Sequence, residues 1–158
     1  MKKPLVFLAL LSVSLFINAQ IVFSAKTGDK ELDGSLSELN VNAKLDLKGF
    51  KAEMNLSFNC GNQKVEELLV TMEPADVFML LQIASTQNKS HDVIIASWKR
   101  NKKGWGAVAK EMGIKPGSPA FHAMKNNAKG KNANMKAKKE SKGGEKGNGN
   151  GGNKGNKK

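Results

Sequence analysis

From Asp29 to Phe58 apolar residues return at intervals of three and four, at Leu32, Leu36, Leu39, Ala43, Leu47, Phe50, Met54 and Phe58. That spacing predicts amphipathic helices, with breaks expected near Asn40 to Asn42 and again at Gly49 or Asn59. Val41, Ala43, Leu45 and Leu47 also alternate, and Lys48-Gly49 suits a turn. A β-hairpin within residues 39–58 therefore stands as the alternative. Val65, Leu68, Leu69 and Met72 mark one further short helix.

Helical signals strengthen after Glu73. Pro74 suits a first helical position, Asp76 places an acid in the first turn, and Val77 to Ala84 is apolar nearly all round, the pattern of a buried central helix. Ser90 and Asp92 open another helix, whose apolar residues are Val93, Ile94, Ala96 and Trp98. Its basic end, Lys99 to Lys103, lies where the helix dipole favours cations. Trp105, Val108, Ala109 and Met112 form one stripe of a third helix that Gly113 closes, and Ser118-Pro119 starts a short fourth carrying Phe121 and Met124. The expected fold is all-α, a small bundle of short helices over residues 29–125.

The chain opens with Lys2-Lys3, then an uncharged run of 13 residues from Leu5 to Ile17, then Asn18-Ala19-Gln20. A basic start, an apolar run and small residues, in that order, make residues 1–20 a secretory signal peptide. The run falls short of the roughly 20 residues needed to span a membrane. Ala19 offers the small residue before the cut, with Phe23-Ser24-Ala25 a poorer second site. Residues 21–28 are expected to be a linker. The mature protein is expected in the periplasm or outside the cell, with no transmembrane segment. Cys60 is the sole cysteine, which excludes an internal disulfide; a small buried thiol is the plain reading.

Export changes how the net charge of +12 is read. Two lysines leave with the signal. Residues 121–158 hold eleven Lys and two Glu, whereas residues 20–120 hold thirteen basic residues against twelve acids. The body is nearly neutral and the end is strongly basic. Built from Lys, Gly, Asn and Ala, residues 126–158 have little apolar surface to offset the entropy of ordering, so they are expected to form a disordered tail. Lys129, Lys131, Lys136, Lys138 and Lys139 are then candidates for salt-sensitive contact with anionic polymers, through counterion release.

The stretch Gly104-Trp105-Gly106-Ala107-Val108-Ala109-Lys110-Glu111-Met112-Gly113-Ile114-Lys115-Pro116-Gly117-Ser118, followed by Phe121-His122-Ala123-Met124-Lys125, resembles a signature of a family of uncharacterised exported bacterial proteins. Their layout is similar: signal peptide, small domain, this motif, and often a Lys/Gly-rich end. The resemblance is specific over residues 74–125 and weaker over 28–60. Met112 and Ala120 depart from the commoner Leu and Glu. It implies no activity. The motif reads as architecture: Gly104 and Gly106 let Trp105 turn into the core, and Pro116-Gly117 is turn chemistry before a capped helix. Val108 to Lys125 also resembles a helix-turn-helix, but an exported protein does not meet operator DNA, so sequence-specific DNA recognition is not expected.

Lys99, Arg100, Lys102 and Lys103 lie between Trp98 and Trp105. Were an indole exposed, this cluster would be a stacking and charge surface for single-stranded nucleic acid or sugar acids. His91 and His122 stand far apart, and no nucleophile elbow, phosphate-cradling loop or zinc-binding histidine pair is present, so neither catalysis nor a cofactor or metal is expected. Glu66, Glu67 and Asp76 read as helix-surface and first-turn acids. The leading expectation is a non-enzymatic exported domain whose basic tail holds extracellular nucleic acid or polysaccharide. The alternative is an interaction module for an envelope protein, with a solubilising tail.

Overall fold

The computed structural model of the protein describes residues 23–102 and 104–143, with the side chains of Lys139, Glu140 and Lys142 outside that description. Residues 1–22, on which the expected signal peptide falls, Lys103 and residues 144–158 also lie outside it. Seven helices and no strand occur among the described residues: α1 Lys30–Leu45, α2 Leu47–Phe58, α3 Asn62–Leu69, α4 Pro74–Gln87, α5 His91–Arg100, α6 Trp105–Glu111 and α7 Pro119–Gly143. The fold is all-α, as the three-and-four spacing predicts, and the hairpin alternative is wrong.

α4 is the axis of the bundle. Every residue from Pro74 to Ala84 is buried, and α1, α2, α3 and α5 all pack on it. α1 buries Leu32, Leu36, Leu39 and Ala43, and α2 buries Phe50 and Met54. Asp29 caps α1 by accepting the Leu32 N–H at 2.8 Å.

The expected break at Asn40 to Asn42 does not occur, because both side chains are used across the bundle. Asn40 is buried, accepts the Ala75 N–H at 3.1 Å and donates to Glu73 at 3.0 Å. It thereby caps the start of α4 from a neighbouring helix. The break falls instead at Asp46, whose carboxylate accepts the Gly49 N–H at 3.1 Å and caps α2. A Cβ at Gly49 would run into that carboxylate. Asn59 ends α2 in the left-handed conformation at φ 48°; asparagine tolerates that conformation better than most residues.

Residues 23–28 are not a linker. Ala25 and Thr27 are buried, and the segment lies against the start of α6. Trp105 N–H donates to the Ala25 carbonyl at 2.9 Å and Gly106 N–H to the Lys26 carbonyl at 3.1 Å. A Cβ at Gly106 would overlap the Thr27 carbonyl, which explains why the motif needs glycine there. Gly113 and Gly117 adopt φ of 90° and 77°, accessible to glycine at little cost. Gly113 ends α6, and Gly117 turns the chain beside the exposed Pro116 into α7, where Phe121 is buried.

The tail expectation fails for its first half. α7 runs on to Gly143, lying along α1 with a side against α2. Phe121, Met124, Ala128 and Met135 are buried along its inner face. Asn132, also on that face, bonds Asn42 at 2.6 Å and Glu38 at 2.5 Å. Burying a methionine stabilises by roughly 1.5–3 kcal/mol, and the surrounding polar groups find partners on α1 and α2.

Candidate functional site

The charged face of α7 is built on a seven-residue step. Lys129 pairs with Glu31, and Lys136, seven residues on, pairs with Glu38 at 2.8 Å, also seven residues on. Seven residues is close to two helical turns, so α7 and α1 run parallel in fixed register. Lys125 sets the start of that register, reaching Asp29 at 3.0 Å and Glu31 at 2.6 Å. On the other flank, Lys131 and Lys138 converge on Glu53 of α2 at 2.9 and 2.8 Å.

Glu53 is the most enclosed of these acids. Burial pushes its carboxyl up, but hydrogen bonds from Lys138 and Lys131, together with their charges, hold it down at about 2. Glu31 is held below its ordinary value by hydrogen bonds from Lys125 and Lys129, and Glu38 by those from Lys136 and Asn132. The Leu32 N–H and Lys125 do the same for Asp29.

Of the candidate polyanion-binding residues, Lys129, Lys131, Lys136 and Lys138 are thus engaged by the protein's own acids. The side chain of Lys139 lies outside the described residues. The missed signal was present in the sequence: Phe121, Ala128 and Met135 recur every seven residues within an otherwise polar segment.

The cluster near Trp98 separates into different roles. Trp98 and Trp105 are both buried and stack at 6.0 Å between centroids with 30° between planes. The indole N–H of Trp105 donates to Asp76 Oδ1 at 2.6 Å. Neither ring is a platform for bases or sugars, and Asp76 is a buried partner of the motif tryptophan rather than a surface acid. Glu111 gathers the α5–α6 corner: it accepts from Ser97 Oγ at 2.7 Å and Asn101 Nδ2 at 2.8 Å, and pairs with Arg100. These contacts, Ser97 first, hold its carboxyl low. Lys102 is exposed at φ 50°, while Lys103 lies outside the described residues.

Lys99 faces elsewhere. With Lys64, Leu68, Thr71, Ile95 and Trp98 it borders a gap of about 410 Å³ between α3 and α5. His91 is half-buried; burial and the nearby charge of Lys64 hold its imidazole below the ordinary value. Cys60 is likewise half-buried, and burial raises its thiol. No group of three or more metal-ligating side chains comes together among the described residues.

No family model matches the chain, and no curated protein or solved structure is similar to it. The chain's own geometry therefore carries the functional reading.

Proposed function

We propose that the protein is an exported, non-enzymatic binding domain that holds anionic polymer, extracellular nucleic acid or polysaccharide, through the lysines beyond its docked C-terminal helix. The observation that carries this reading is how the lysines divide. Those from Lys125 to Lys138 that meet α1 and α2 neutralise body acids. Residues 144–158, which follow α7 in the chain, add four Lys against one Glu. Such contacts release counterions and weaken steeply with salt.

Retention on heparin resin tests this, comparing the full chain with one ending at Gly143. Earlier elution of the shortened chain at low salt, with the difference vanishing at high salt, is expected. Equal elution overturns the proposal.

The second reading, an interaction module for an envelope protein, draws on the corner where α1 meets α2. Leu45 and Leu47 are 62% and 44% exposed there, and isolated apolar groups that cluster at one place favour a protein partner. A pull-down that survives loss of residues 144–158 but not Leu45→Ser would favour it.

A further inference from the structure

The gap between α3 and α5 follows from topology. A short turn joins α3 to α4 and another joins α4 to α5, so α3 and α5 are both held beside α4. Both pack on α4, leaving a groove between them rather than a closed seam. Lys64 and Leu68 of α3, with Thr71 in the turn after it, form one wall, and Ile95, Trp98 and Lys99 of α5 the other.

The two ends differ in charge. Lys64 pairs with Glu67 at 3.2 Å, so that end is neutralised. Lys99, in the last turn of α5, has no ion pair among the described residues, and Thr71 lines the same gap. Between them the gap is lined by Leu68, Met72, Ile95 and Trp98, with Glu67 bordering it beside its partner Lys64, and about 410 Å³ falls within the range of small-molecule sites, roughly 300–1,000 Å³. An apolar slot with one free cation at its end complements a molecule with an apolar body and one anionic head.

We propose that this groove binds a free medium-chain carboxylate, its alkyl body along Leu68, Ile95 and Trp98 and its head at Lys99 and Thr71. The site is independent of the C-terminal lysines and of the polymer reading. Trp98, one of two tryptophans in the chain, makes the site self-reporting.

The test titrates sodium decanoate, below its micellar concentration, into the full chain, reading tryptophan fluorescence and heat together. Saturable one-to-one binding is expected. Lys99→Glu weakens it at least ten-fold, and Thr71→Phe, a change at an exposed rim position, blocks the slot and abolishes it. Lys30→Glu, on the first turn of α1, leaves it unchanged. Thermal melts of each variant establish that it is folded. An uncharged decyl glucoside that binds as tightly as decanoate overturns the role of Lys99. Absence of saturable binding, or full binding by folded Thr71→Phe, overturns the site itself.

Discussion

Replacing Glu53 by Gln tests whether the lysines of α7 act as a structural clasp. A carboxyl moved from 4.5 to about 2 corresponds to roughly 3 kcal/mol, at about 1.4 kcal/mol for each tenfold change. Lys131 and Lys138 keep 21% and 49% of their side-chain exposure, so solvent reduces the pair contribution to about 1–2 kcal/mol. The folded-state value lies below the unfolded one. The contribution is therefore fully present above about pH 5 and is lost as pH falls through the folded value near 2. Thermal melts of the full chain and Glu53→Gln from pH 7 to pH 2 should differ by about 1–2 kcal/mol at neutrality and converge in acid. Glu31, Glu38 and Asp29 titrate in both proteins, so the difference between the two curves isolates Glu53. Backbone amide exchange across residues 128–138 should rise in the variant at pH 7. A stability difference that is constant with pH, or amide protection unchanged along α7, would refute the clasp.

Gly106→Ala, which drives a methyl group into the Thr27 carbonyl, should cost about 1–3 kcal/mol in urea unfolding. Gly130→Ala, an exposed position in α7 with open space around it, should instead stabilise by about 0.5–1 kcal/mol. Asp76→Ala leaves the buried Trp105 N–H without this acceptor and should cost about 1–3 kcal/mol, with a change in tryptophan emission as readout; Asp76→Asn should recover part of it. A chain ending at Gly143 should melt with the full chain, whereas one ending at Lys125 loses the buried Ala128 and Met135 and should melt several degrees lower.

The helices of residues 62–111 were legible because their apolar stripes match what they bury and their ends carry Pro74, Gly104 and Gly113. Residues 29–58 were legible in type but not in extent. Asn40 reads as a helix breaker in one dimension, and its role as a cap on α4 exists only once the two helices meet. Composition misled for α7: a Lys- and Asn-rich segment is disordered when solvated alone, yet here its cations face acids set at the same seven-residue step on α1. Gly104 and Gly106 pointed Trp105 into the core, as found, but Trp98 could be placed only by the packing of α4 and α5 against α6. The same holds for the gap at Lys99, which arises from two helices sharing a neighbour and leaves no trace in either stripe.

The segment ahead of α1 has a bearing on processing. Ala25 sits in the core and, with Lys26, supplies the carbonyls that Trp105 and Gly106 bond, so the fold closes on residues shortly after the apolar run that ends at Ile17. Cleavage after Ala25 would remove part of that closure, whereas cleavage near Ala19 leaves it whole. Of the two expected cut sites, only the upstream one would leave the chain able to seal its own amino-terminal edge.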